Sequence, residues 1–435
     1  MKNMEKEKSS RFSWLVLIGI IIVRGFATGL NTISSLFLAP VSEDLGTGIG
    51  TLSIYFSIFA TVQILWFGYA GKLLNRYDVR WVTAVSVCLQ AVSFAAFGWM
   101  KHVTGWYVLA IPLAMGAAIL VYLLGPVLVN RWFDKNTGSI LGIQSAFVGL
   151  LGAVLQPMTS NMIEIKGWRA AYFSMGLLAL CVMLLATAFF IRDKSGNVSV
   201  GKESRLKSMQ IENVSMNNGL RTEGEEDINV EEAGFQKRMV QDSTHKTICL
   251  PALYALTIFL FAVTGVAVFV QHIPTYGILM GYSMSNIGMV LSLASIGNAI
   301  GAFLIGFLSD RIGGLKTCYL ILGVWLAAIV GFLFGGSHFV IFAIAAVLNG
   351  LVTPSVMVSA PILTLLLFGK ENYEKIYAKV SMGAPLASIF LIPMYGFIYD
   401  VTESYLLVLL ILIILLVLAG ISIAYGWKVK RIHEC

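Results

Sequence analysis

Charge is what this sequence has least of. Across 435 residues only 12% are Asp, Glu, Lys or Arg, where soluble domains carry about 25%. Hydrophobic residues make up 57%, and the mean hydropathy is +0.82. That leaves too little polar surface to clothe a water-soluble fold, so the composition points to a bilayer as solvent. Cysteine is scarce too. Cys88, Cys181, Cys249, Cys318 and Cys435 stand far apart, which excludes a redox pair or a metal-binding spacing and leaves small apolar side chains in helices. The phosphate loop G-x-x-x-x-G-K-[ST] is missing, which argues against ATP as the energy source. No catalytic constellation is present, so neither an enzyme nor a cofactor or metal site is expected. Barrel-type alternation is missing, so spanning segments must be helices that satisfy their own backbone. The first apolar run is too long for a cleavable signal and lacks a cleavage site.

What the sequence does hold is twelve apolar segments, each near the ~20 residues that cross ~30 Å of hydrocarbon. They are expected at about 13–38, 50–70, 80–99, 104–129, 138–160, 169–191, 249–272, 284–308, 317–336, 338–366, 380–399 and 404–427. One long stretch, 192–247, is polar, with an acidic run from Glu223 to Asp227. It has too little apolar surface to offset its ordering entropy and is expected to be a mobile loop on the cytoplasmic side. It divides the chain into an N-terminal half, 1–191, and a C-terminal half, 248–435, of six segments each. The net charge of +7 is a topology signal and not a nucleic-acid footprint. Lys101, Lys166 and Arg169 fall on one side of the bilayer. Apart from Arg24, every other Lys and Arg falls on the opposite side, which is therefore cytoplasmic and holds both termini.

The halves repeat. Gly71-x-x-x-Asn75-Arg76 follows the second segment, and Gly306-x-x-x-Asp310-Arg311 follows the eighth, 235 residues later. Parallel repeats of this kind are common in secondary transporters. With Gly313, the second copy resembles the loop signature of the major facilitator superfamily; the first departs from it at Asn75. Three further stretches are similar to the monocarboxylate and oxalate/formate branch: Asn130-Arg131-Trp132-Phe133…Gly138…Gly142, Gly167-Trp168-Arg169-Ala170-Ala171-Tyr172-Phe173, and Gly281-Tyr282-Ser283. The resemblance implies an all-α fold of two six-helix halves around one central site. It also implies that Arg76, Asp310 and Arg311 latch the halves together in one conformation. The chain departs from the branch at Ala302, where an arginine is usual, and at Asn298, where mammalian-type members tend to be acidic.

Arg24 is the sharpest single feature. It lies about 11 residues into the first helix, ~16 Å deep, where a cation costs at least ~2.5–3.5 kcal/mol. It should therefore face water or a partner, yet every Asp and Glu falls in a tail, a loop or a helix end. A guanidinium left free at mid-membrane suits a carboxylate substrate, which it can hold bidentately. The alternative is that Arg24 bonds helix carbonyls or amides and only joins helices. Asn31, on the same helical face, Tyr122 and Asn298 are further candidates for the substrate site. Other polar residues within the helices, such as Gln63, Gln90 and Gln144, more often join helices. His272, just before Pro274, is a candidate for proton coupling or gating. Gly25 with Gly29, and Gly297 with Gly301, are small-x-x-x-small packing pairs, and Pro354 and Pro361 should kink the tenth helix.

These features together predict a monomeric, multi-pass plasma-membrane carrier of a small organic anion, monocarboxylate-like, working by alternating access as proton symport or exchange against a counter-anion. Its other partner is the lipid bilayer; nucleic acid is not one. Efflux of amphiphilic or drug-like compounds is an alternative, though such pumps generally need a buried acid. A non-transporting membrane sensor or scaffold is a second alternative.

Overall fold

The computed structural model describes residues 2–133, 137–192, 250–336, 338–369 and 373–433. From residue 193 onward, the polar segment expected to form a mobile loop lies outside the described residues.

Among the described residues the chain is helical, and eleven helices are long and apolar enough to cross a membrane. Thr137–Phe190 runs 54 residues, far beyond one bilayer, and turns at Gly167 (φ 79, ψ 164), a conformation that costs glycine little. It is therefore two crossings, and the fold has twelve. We number them α1 (Lys2–Ile33), α2 (Ile49–Arg76), α3 (Val79–Ala96), α4 (Val103–Trp132), α5 (137–166), α6 (168–190), α7 (Leu250–Ala267), α8 (Met284–Ile312), α9 (Gly314–Phe334), α10 (Phe339–Phe368), α11 (Gly383–Thr402) and α12 (Leu406–His433). Successive helices alternate in direction. The face carrying Arg76 and Ile312 is called the near face, and the face carrying Gly48 and Ser283 the far face.

Small residues set the packing, because apolar side chains gain little by leaving lipid for one another. α1 lies on α5 with Gly25 against Leu151 and Gly29 against Leu155. α8 lies on α10 with Gly297 and Gly301 against Val347 and Leu351. Both small-residue pairs thus serve as packing devices. α10 breaks at Thr353–Pro354, as its proline predicts. Each half carries an aromatic knot near the far face. Phe37 stacks on Tyr172 at 3.7 Å and Phe97 on Trp106 at 5.7 Å in the first half. Phe332, Phe342, Tyr276 and Tyr405 cluster in the second.

The halves meet along two seams, α2 on α11 and α5 on α8. At the far face they also meet where Ser34–Phe37 and Leu38–Leu45 touch Val268–Gln271 and Ile273–Leu279. At the near face, Arg76, Asp310 and Arg311 are exposed and make no hydrogen bond or ion pair between the halves among the described residues.

The motif stretches have local jobs. Arg131 donates to Leu74 O (2.9 Å) and Asn75 Oδ1 (3.1 Å), tying the end of α4 to the end of α2. Trp132 Nε1 donates to Arg192 O (2.9 Å), tying α4 to the end of α6. Arg169 pairs with Asp44 at 3.1 Å and covers the Trp168 ring. Gly281 takes a positive φ of 83°, and Tyr282 O–H donates to Gly335 O.

Candidate functional site

The candidate residues lie where α1 faces α4. α4 is not a uniform helix: Ala118–Leu123 widens into a π-turn in which Leu124 N–H bonds Ile119 O. At this turn Arg24 Nε donates to Val121 O at 2.6 Å. A guanidinium has five N–H donors. This bond uses one, and neither terminal nitrogen makes a hydrogen bond among the described residues. Nor does any described carboxylate pair with Arg24. The group is half-buried, and Tyr122 stands beside it on α4, 40% exposed and edge-on to Phe67. So the helix-joining role and the free positive fork coexist in one side chain.

Not every expected residue gathers there. Asn31 Oδ1 accepts from Gln90 Nε2 (3.3 Å), which also donates to Ala27 O (2.9 Å), so Asn31 braces α1 on α3. Asn298 is exposed on α8 and makes no hydrogen bond among the described residues. His272 lies elsewhere, wholly within the second half and fully buried. Its Nε2 is 2.9 Å from Ile392 O and its Nδ1 3.0 Å from Tyr405 Oη. A carbonyl can only accept, so Nε2 carries the proton and Nδ1 accepts from the Tyr405 hydroxyl. Both nitrogens are used in joining the segment between Val268–Gln271 and Ile273–Leu279 to α11 and to the residue before α12.

Sequence reasoning passed over two groups. Gln144 of α5 is fully buried against Gly125, one turn along α4 from Val121, and both its amide atoms lack a partner among the described residues. Thr28 Oγ1, one turn from Arg24, is likewise unpartnered. Unsatisfied buried polar atoms call for an explanation, and a ligand is one. Gln144 was legible as a polar residue within an apolar run, but its lack of a partner was not.

Two six-helix halves, seamed along α2–α11 and α5–α8 with a positive fork between α1 and α4, define a secondary-carrier fold. The sequence matches the Major Facilitator Superfamily over residues 17–315 and 280–433, and the chain belongs to that superfamily. It is a multi-pass membrane transporter with an alternating-access fold, and members of this family are not enzymes. The oxalate:formate antiporter of Oxalobacter formigenes is 21% identical over 315 residues, 72% of this chain and 66% of that protein. The match thus spans just under two thirds of that relative. Monocarboxylate transporter 4 of Rattus norvegicus is 21% identical over 179 residues, 41% of this chain and 38% of that one. Among solved structures, a bacterial homologue of the human lysosomal transporter Spinster, inward-facing and unoccupied, superposes with a TM-score of 0.64 at 14% identity over 97% of both chains.

Proposed function

We propose that the protein moves a small organic anion of the monocarboxylate type across the cell membrane, by proton symport or exchange for another anion. The observation that carries this reading is the Arg24 fork: deep, half-buried, bonded only through Nε, and without a carboxylate partner among the described residues. One guanidinium neutralises one carboxylate. As the one Lys or Arg that lies away from the ends of an expected span, it favours a monoanion over a dianion. In this reading the Tyr122 hydroxyl beside Arg24 and the unpartnered Gln144 amide add neutral donors, and Asn31 and Asn298 stay candidates from the sequence alone. The names of the oxalate:formate and monocarboxylate relatives support the same chemistry.

The halves 1–191 and 248–435 rock about this site as a monomer, with 192–247 as their cytoplasmic tether. The basic near face is cytoplasmic by the positive-inside bias, together with both termini. The far-face junction therefore closes the outside, and Arg76, Asp310 and Arg311 latch the near face when it shuts in turn.

Purified protein in sealed vesicles should accumulate labelled monocarboxylates such as formate or lactate faster than protein-free vesicles. Stimulation should follow either an imposed proton gradient or preloaded anion. Uptake of organic cations with no response to any carboxylate would favour efflux pumping. Movement of nothing would favour a sensor.

A further inference from the structure

The two seams between the halves end in the same device. At the far end of α11, the Asp400 carboxylate accepts from two backbone N–H groups that open α2: Ile49 N at 2.7 Å on Oδ1 and Gly50 N at 2.8 Å on Oδ2. α2 has no cap of its own, because its N-cap residue is Gly48, which has no side chain to bond with. At the far end of α5, Glu164 Oε2 accepts from Ser285 N (3.0 Å) in the first turn of α8. Each half therefore sends one carboxylate across the interface onto the start of the other half's second helix.

The sequence carries this as a repeat. Pro157-Met158 precedes Glu164 by the interval at which Pro393-Met394 precedes Asp400, and the copies lie 236 residues apart. The recipients, Gly50 and Ser285, are 235 apart, the spacing of the loop signatures. Close approach is built in on both sides. A Cβ on Gly396 would lie 2.6 Å from Gly50 Cα, and one on Gly50 would lie 2.5 Å from Phe397 N. A Cβ on Gly288 would lie 3.1 Å from Pro157 Cα, and a Cβ on Gly48 would strike the Asp400 carboxylate.

We propose that Asp400 and Glu164 are a reciprocal pair of latches that hold the far face shut, and that the carrier must break both to open it. The free N–H groups and dipole of a helix N-terminus favour an anion over a neutral side chain, so charge is what holds each latch. The pair is unequal. Asp400 is half-buried and makes two bonds, whereas Glu164 is exposed and makes one. Asp400 therefore carries most of the bias. Rocking apart breaks these bonds without unfolding α2 or α8, whose remaining ladders lie within single helices. This inference does not depend on what is transported.

The test uses spin labels on full-length protein in nanodiscs. His102 and His338, one in each half, are exposed at the far face; both are changed to cysteine after the native cysteines are replaced. Distances are read by pulsed electron resonance. The parent should show chiefly the short, closed distance. Asp400→Asn should raise the ratio of open to closed by about tenfold, Glu164→Gln by less, and the pair by more than either. Gly48→Ala keeps both charges but displaces Asp400, so it should shift the distances in the same direction and serves if Asp400→Asn fails to fold. Folded variants with the parent's distance distribution would overturn the proposal. So would lowered thermal stability with no change in distance, because that is what a purely structural cap would give.

Discussion

Arg24→Ala is expected to remove carboxylate transport while leaving a folded carrier. A bidentate pair supplies two charge-assisted bonds of about 1.5–3 kcal/mol each before other costs, so losing it should weaken anion affinity by about 100-fold. Stability should change little, because burying the cation itself costs at least about 2.5–3.5 kcal/mol and that cost disappears with it. The Val121 carbonyl loses its donor, which works in the opposite direction. Arg24→Lys separates charge from shape. It keeps the cation but not the planar fork that matches two carboxylate oxygens while Nε holds Val121 O. Intermediate affinity, about tenfold below the parent, is therefore expected. Initial rates of labelled monocarboxylate uptake over a concentration series measure both variants.

His272→Phe should have the largest effect on stability. The phenyl ring fills similar space but leaves the Tyr405 hydroxyl without its acceptor in a fully buried setting and removes the side-chain bond to the Ile392 carbonyl, which lies within helix α11. Each buried orphan costs about 1–3 kcal/mol in soluble proteins, while bonds between membrane helices average nearer 0.6 kcal/mol. A net loss of about 2 kcal/mol is expected, read as a lower unfolding temperature in detergent. His272→Gln can still donate to Ile392 and accept from Tyr405, so it should recover part of the loss. If His272 ties helices together, folded His272→Gln should keep the parent's pH profile of uptake. A flattened profile at unchanged stability would instead make it a coupling group.

The sequence was most legible where the bilayer sets the rule. Hydrocarbon thickness fixes the length of an apolar run, so the twelve crossings could be placed. That included the pair on either side of Gly167, which form one continuous run of 54 residues. Pro354 marked its kink because a proline cannot donate in a helix. Legibility failed where one backbone group meets a distant side chain. Glu164 and Asp400 read as ordinary helix ends, yet their partners are N–H groups 121 and 351 residues away, and backbone donors leave no trace in residue identity. The bond from Arg24 to Val121 O was hidden for a related reason, since a backbone carbonyl leaves no trace in residue identity either. Asn31 lies seven residues after Arg24, but nothing local announced that Gln90 would claim it.

Thermal unfolding in the presence of small carboxylates tests the central claim most directly, because it reads binding without needing the coupling ion or the direction of transport. A ligand that binds the folded state at 100 times its Kd stabilises it by about 2.7 kcal/mol. Formate, acetate, lactate and oxalate should be compared on the parent protein and on Arg24→Ala, with matched chloride as control. At least one monocarboxylate should raise the parent's unfolding temperature and leave that of Arg24→Ala unmoved. Equal stabilisation of both proteins would take Arg24 out of the site, and the anion reading with it.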